Sequence, residues 1–337
     1  MKYFYITIGL LISYFVTFLS GRTIIPFLHK LKFGQTIKEI GPTWHKNKQG
    51  TPTMGGIMFI IGILLASSIG YLFLFFNMDY KLYNDVVIDR MRFFSGIFMA
   101  FGFGAIGFID DYIKVVKKRN LGLMARQKTM LQILVGALYL IEMYFVNQAE
   151  TIMIIPFIGQ VNLGYLYYPI SLFIIIGTVN AVNLTDGIDG LATSVTAIVG
   201  AGFFMIANIL KQMSASLMAI CLIGGCLGFL MWNKHPAKVF MGDTGSMFLG
   251  GMVASLAFSV NQPIILVLIG IIYIIETMSV IIQVINYKLT GKRIFKMSPI
   301  HHHFEMSSYS ENKIVIIFSI VTFIGCILAG ISEFVKV

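Results

Sequence analysis

Charge is scarce in this sequence: Asp, Glu, Lys and Arg make up only 12% of its 337 residues, about half the share of a soluble domain. With 57% hydrophobic residues and a mean hydropathy of +0.83, the chain cannot keep a water-facing surface, so its surface faces lipid. Cysteine is nearly absent too. Cys221, Cys226 and Cys326 lie inside apolar runs without C-x-x-C spacing, which excludes a disulfide framework and a zinc site. No G-K-S or G-K-T phosphate loop exists, so ATP-driven transport has no support. Neither an internal repeat nor a low-complexity linker divides the chain, and residues 1–337 read as one domain. No small-residue cleavage site follows the first apolar run, which reads as a retained span and not a signal peptide.

What the sequence has in abundance is long apolar runs. Ten of them, at about 3–25, 54–76, 93–109, 130–148, 167–185, 190–210, 214–232, 245–261, 263–285 and 314–334, reach the roughly 17–25 residues that a helix needs to cross hydrocarbon. The expected fold is therefore an all-α polytopic membrane protein with ten transmembrane helices. The loops after the first, third, fifth, seventh and ninth runs hold 19 of the 25 Lys and Arg residues. Cationic loops stay in the cytoplasm, which puts both termini outside. Topology also explains most of the net charge of +10, so a nucleic-acid partner is rejected; part of the excess remains for an anionic ligand. The stretch from Thr151 to Tyr168 is too polar at Gly159, Gln160 and Asn162 to span, yet rich in β-branched and aromatic residues. It predicts a small outer β-hairpin.

Chemistry-bearing residues collect on the side assigned to the cytoplasm. All six histidines lie at or inside those loops, as do Asp110, Asp111, Asp186, Asp189 and Asp243. A transporter would more often bury its ionisable groups near the bilayer midplane. Asp110 and Asp111, in FIDDYIK, fall where the third run ends. The plain alternative is a polar helix end, but paired carboxylates there oppose the helix dipole and each other, so something positive must compensate. Lys114 and Lys117 do so, and a hard divalent cation does it better. Asp243 in FMGDTGS and Asp189 in NLTDGIDG precede helices, where Asp is also a favoured N-cap. Their glycine-rich settings suit close approach to a ligand, and a helix N-terminus attracts phosphate.

Ahead of the second run, GPTWHKNKQGTPTMGG offers Lys46, Lys48, Thr51 and Thr53 as an anion cradle, or else a basic interfacial turn. Asn180 and Asn183 supply amide oxygens for Mg²⁺ or a nucleobase. In PIHHHFE, three consecutive histidines cannot share one helical face, so one or two of them binding phosphate is the better reading. Gly102, Gly104 and Gly107 mimic a dinucleotide fingerprint, but with no preceding strand they read as close helix packing. Glu142 and Glu276 lie within runs and call for a functional or paired role, with partners unassigned.

Taken together, GTPTMGG, FIDDYIK, NLTDGIDG, FMGDTGS and PIHHHFE resemble the signature of the polyprenyl-phosphate N-acetylhexosamine-1-phosphate transferases. The resemblance runs nearly end to end. GTPTMGG and the unbroken PIHHHFE favour the branch with a muramoyl-pentapeptide donor over relatives that use UDP-N-acetylglucosamine. It implies transfer from UDP-N-acetylmuramoyl-pentapeptide to undecaprenyl phosphate in the bacterial cytoplasmic membrane, giving the first lipid-linked peptidoglycan precursor and UMP. It also implies Mg²⁺ dependence, a homodimer and an active site facing the cytoplasm. On the matching positions, Asp243 and Asn183 are implied as Mg²⁺ ligands. Asp110 would contact or deprotonate the lipid phosphate, and Asp111 would support the metal or the lysines. Lys48, Lys114, Lys128, His301 and His302 are implied for phosphates, with Thr53 in the cradle around Lys48. Asp186, Asp189, Asn233 and Phe240 fall to the uridine side, and Gln283 is a further substrate candidate. A sister transferase using UDP-N-acetylglucosamine and, from another class, a transporter remain as competitors.

Overall fold

The structure, a computed structural model, describes residues 4–31, 48, 50–77, 83–116, 122–146 and 151–335. Its long helices are α1 (Phe4–Lys30), α2 (Gly56–Asn77), α3 (Tyr83–Val116), α4 (Ala125–Val146), α5 (Tyr167–Thr185), α6 (Leu191–Ile209), α7 (Met213–Asn233), α8 (Gly242–Ser259), α10 (Ile271–Thr290) and α12 (Glu311–Phe334). Between them lie two short helices, α9 (Leu266–Ile269) and α11 (Ile300–Glu305). Each long helix overlaps one of the ten apolar runs. Among the described residues, nine of these helices are long and apolar enough to cross a membrane.

The helix that falls short is α8, and its surroundings explain why. Every residue from Thr244 to Ser259 is buried within the protein. A helix enclosed by other helices needs no lipid-compatible surface, and its glycines, serines and alanines let neighbouring backbones come close. A Cβ on Gly107 of α3 would overlap the Asp243 carbonyl at the start of α8, and one on Gly251 would lie 2.7 Å from the Ala100 Cα. The glycines of the false dinucleotide fingerprint are thus packing residues, as expected. Peripheral helices show the opposite character. Phe15 of α1, Leu138 of α4, Ile282 of α10 and Phe323 of α12 are all exposed apolar side chains, which lipid would cover.

Three boundaries differ from expectation. Helix α3 overruns the expected 93–109 at both ends because its polar ends find partners: at the start Asp89 accepts from Ser214 and Arg90 donates to Tyr71 at 3.2 Å, and at the end Lys114 pairs with Asp110 and Asp243. Asp110 and Asp111 therefore do not close the helix, which continues to Val116. The ninth run is interrupted. It begins as a single turn at Pro263–Ile265, continues as α9, breaks at Gly270 and resumes as α10 through Thr290. Asp243 and Asp189 are not N-caps either, since those positions are held by Met241 for α8 and Gly190 (φ 75°) for α6.

The hairpin is present. Strands β1 (Ile152–Ile155) and β2 (Gly159–Asn162) pair antiparallel, with Ile152 opposite Asn162 and Ile155 opposite Gly159.

Candidate active site

The first functional cluster forms where α3 meets the start of α8. Asp110, Asp111 and Asp243 bring carboxylate oxygens within 4.8 Å of one another. Two ammonium groups sit among them. Lys114 Nζ lies 2.5 Å from Asp110 Oδ2 and 2.8 Å from Asp243 Oδ2, and Lys128 Nζ lies 2.9 Å from the same Asp243 oxygen. Helical spacing delivers Lys114, one turn after Asp110. Lys128 comes from the first turn of α4, and the loop before it is tied down by the Leu123 amide donating to Asp110 Oδ1 at 2.7 Å. Asn183, in the last turn of α5, donates through Nδ2 to Asp243 Oδ1 at 2.9 Å and to Ser246 Oγ at 2.7 Å.

Asp111 differs from its neighbour. It accepts from the Asp243 amide at 3.2 Å, the Thr244 amide at 2.8 Å and the Thr244 hydroxyl at 2.7 Å. No residue of its own sequence caps α8 through a side chain; Asp111 supplies that service from α3, where the free amides and the positive helix end favour an anion. The strand-like segment from Pro52 to Gly56 joins at the same place. Phe240 N donates to Pro52 O at 2.9 Å, Gly55 N to Phe240 O at 2.9 Å and Gly56 N to Met241 O at 3.1 Å. Two of the sequence motifs, GTPTMGG and FMGDTGS, are therefore held together by backbone. Gly242 (φ 70°) lies at the join, where a Cβ would approach Asp111 Oδ2 at 2.5 Å and the buried Thr53 hydroxyl at 2.8 Å.

A second cluster centres on Lys48. Its Nζ lies 2.8 Å from Asp189 Oδ1 and 2.7 Å from Glu311 Oε1. Asp189 Oδ2 meets His235 Nδ1 at 2.9 Å and accepts from the Ala237 amide at 3.0 Å, while the Asp189 amide donates to Glu311 Oε2 at 2.9 Å. Lys48 thus clamps its own segment to Asp189 and Glu311, and Asp189 brings in the loop of His235 and Ala237. Sequence reading missed Glu311; it lies in no motif, and its only local signal is an acid in the first turn of α12 behind the Ser310 cap. Lys46 lies outside the described residues. Asp186 stands between the two clusters in the loop from α5 to α6. Burial, then the like charges of Asp243, Asp111 and Asp189, push its carboxyl up to about 8.

The three histidines take different hydrogen-bond partners, although the ring centres of His301 and His302 lie 4.1 Å apart. His301 is fully buried and its Nδ1 lies 3.0 Å from Glu276 Oε1, which gives Glu276 its partner. His302 Nδ1 lies 2.6 Å from Glu305 Oε2, and His303 Nδ1 accepts from the Lys296 amide at 3.1 Å. Gln283 is occupied by backbone: Oε1 accepts from the Ile294 and Phe295 amides at 3.0 Å each, and Nε2 donates to Phe295 O at 2.9 Å. Asn233 accepts from the Thr193 hydroxyl at 2.9 Å and donates to Val239 O at 3.0 Å, bracing the loop that leads to Phe240, whose ring is partly exposed. Asn180 pairs reciprocally with Gln132 at 3.0 and 3.2 Å. Glu142 is exposed on α4.

The donor set of the first cluster fits a hard divalent cation. It offers only oxygen from three converging carboxylates, and its negative charge is balanced by ammonium groups. A membrane-embedded helical bundle with acids and lysines gathered at one helix N-terminus defines a class: a polytopic membrane enzyme that handles phosphate groups.

Residues 93–261 match glycosyl transferase family 4, and residues 48–60 match the phospho-N-acetylmuramoyl-pentapeptide-transferase signature 1. The chain is 46% identical over 328 residues to a phospho-N-acetylmuramoyl-pentapeptide-transferase of Clostridium perfringens, covering 97% of this chain and 96% of that protein. Identity is 47% over 323 residues to the enzyme of that name from Caldanaerobacter subterraneus, with 96% of each chain covered. The Listeria monocytogenes enzyme of that name is 44% identical over 320 residues, covering 94% of this chain and 95% of the relative. The chain belongs to glycosyl transferase family 4 and, within it, to the phospho-N-acetylmuramoyl-pentapeptide transferases.

Proposed function

We propose that this protein transfers phospho-N-acetylmuramoyl-pentapeptide from its UDP derivative to undecaprenyl phosphate, releasing UMP and the first lipid-linked peptidoglycan precursor. The observation that carries the reading is the meeting of Asp110 and Asp243 at Lys114 and Lys128, inside a chain whose relatives bear that transferase name along almost their whole length. The reaction joins a water-soluble donor to a lipid acceptor in the bacterial cytoplasmic membrane, with the site opening to the cytoplasm, a reading that the distribution of Lys and Arg supports.

The electrostatic problem dominates. A phosphate dianion must approach a diphosphate, and the lysine pair at Asp243 places positive charge where those oxygens would gather. The acceptor phosphate has a second pKa of about 6, so near neutral pH it is already largely ionised, and a strong general base is optional. Asp110 orients the acceptor phosphate and takes its residual proton. Asp111 acts by fixing the start of α8 and hence Asp243. Asp243 and Asn183 would hold Mg²⁺, which when bound would neutralise charge on the diphosphate. Lys48, Thr53, Asp186, Asp189, Asn233 and Phe240 form the donor side, with His302 of α11 and Gln283 of α10 beside them.

Transfer is direct, since the acceptor is itself an anionic nucleophile. Trapping a phospho-aspartate with the UDP donor alone, in the absence of lipid phosphate, would contradict this. The decisive assay is UMP release from UDP-N-acetylmuramoyl-pentapeptide, with UDP-N-acetylglucosamine in parallel. Release is expected with the muramoyl donor only, and only with both Mg²⁺ and polyprenyl phosphate present. Release with neither would defeat the reading.

A further inference from the structure

Glu276 is a carboxylate in the first half of α10, in no motif, and no solvent reaches it. The buried face of α10 carries Glu276, Ser279 and Gln283, while Met278, Ile281, Ile282 and Ile285 are exposed apolar residues on the rest of the helix. Spacings of three and seven put those three polar residues in one row. Two of them grip the same returning segment of chain. Gln283 holds the backbone of Ile294 and Phe295 by three hydrogen bonds, and Glu276 holds His301. The contact between Glu276 Oε1 and His301 Nδ1, at 3.0 Å, fixes that edge of the ring.

The other side of the same imidazole faces Gly187. A Cβ at that position would overlap His301 Nε2 and approach Cε1 at 2.5 Å, so the Nε2 edge of the ring is packed against the glycine. Gly187 sits between Asp186 and Asp189. Both Nε2 of His301 and Oε2 of Glu276 are buried with no hydrogen-bond partner among the described residues. Buried polar atoms without partners carry an uncompensated desolvation penalty, so such a pair persists where the geometry it enforces has a use.

We propose that Glu276 is a positioning residue for the donor nucleotide. Through Nδ1 it sets the His301 ring, and the ring sets the loop of Asp186 to Asp189 by contact with Gly187. The inference rests on the transferase reading above, because that reading makes this loop the nucleotide side of the site. It adds a residue that touches neither substrate and acts only through His301.

The test uses the full-length protein in detergent, with UMP as the probe for binding and steady-state turnover for the two substrates. Glu276→Ala is expected to weaken UMP binding and raise the donor KM by roughly tenfold, the scale of one lost buried hydrogen bond. The KM for polyprenyl phosphate should stay within about twofold of wild type. Glu276→Gln, whose amide can still hydrogen-bond Nδ1, should restore most of the affinity. Because Glu276 acts through His301, the double variant Glu276→Ala/His301→Ala should bind UMP no more weakly than His301→Ala alone.

Unchanged UMP binding in Glu276→Ala, equal losses for both substrates, no rescue by Gln, or additive losses in the double variant would each overturn the proposal. If Glu276→Ala does not fold, Gly187→Ala pushes on the same ring from the other side and should reproduce the UMP loss; unchanged affinity there also overturns it. Wild-type protein that neither binds UMP nor turns over the muramoyl donor would remove the transferase reading and this inference together. Normal wild-type behaviour with an indifferent Glu276→Ala would remove only the inference.

Discussion

Asp111 and Asp243 both contribute to the acid cluster, yet their hydrogen bonds divide the labour. Asp243 faces Lys114, Lys128 and Asn183, all mobile-headed polar groups suited to exchanging partners with a ligand. Asp111 is spent on the amides of Asp243 and Thr244 and on the Thr244 hydroxyl. Asp243→Asn is therefore expected to abolish UMP release while the protein still elutes as a folded species in detergent; near-normal turnover at saturating Mg²⁺ would refute the metal assignment. Asp111→Ala should instead destabilise the fold by about 1–2 kcal/mol, the cost of losing a helix cap, visible as a lower Tm before activity is considered. The sequence displayed both acids, Asp111 in the polar pair that follows an apolar run and Asp243 in the glycine-rich FMGDTGS ahead of another. It could not display the division, because which carboxylate meets α8 depends on how closely Gly107 lets α3 approach.

Among the connecting elements, the loop from α5 to α6 carries the strongest electrostatic tension. Asp186 keeps its proton in the folded protein up to about pH 8, whereas an unfolded Asp loses it near 4. Between those values the native state binds the extra proton, so stability falls as pH rises through this window and the loss is complete above about 8. Thermal unfolding with EDTA present should show Tm declining from pH 6 to 9, and Asp186→Asn should flatten that decline. An equal slope in the variant would reassign the effect. The Lys48 clamp is a second element-scale device. Lys48→Met leaves Asp189 and Glu311 facing each other without their cation, and breaking such a largely buried arrangement costs about 3 kcal/mol or more. A drop in Tm should accompany any rise in donor KM, and a pure KM effect at unchanged Tm would mean Lys48 serves only the ligand. Here the sequence was half legible. Lys48 and Asp189 stood in recognisable motifs, but Glu311 and Glu276 acquire meaning only from partners that lie 263 and 25 residues away along the chain.

For the whole molecule, hydropathy located every long helix because lipid-facing surfaces must be apolar, but it counted α8 as one span among ten without revealing that this helix meets only protein. The distribution of Lys and Arg makes a further statement that labelling can check. The three native cysteines are buried, so the background is low. Tyr165→Cys beside the hairpin, where Tyr165 is 93% exposed, should react with a membrane-impermeant maleimide on intact spheroplasts. Lys292→Cys, in the exposed loop after α10, should react only once the membrane is opened. The reverse pattern would invert the topology and with it the cytoplasmic placement of the site.

The enclosure of α8 also bears on how the chain is made. Asp110 and Asp111 emerge from the ribosome long before Asp243 and Thr244, with which they share the centre; 132 residues separate Asp111 from the Asp243 amide it binds. Until α8 is threaded among its neighbours, the end of α3 must wait with its acids at the aqueous boundary. A chain arrested before α8 would thus present an unfinished polar face within the bilayer, the kind of mark by which membrane quality control can distinguish an aborted product from a completed one.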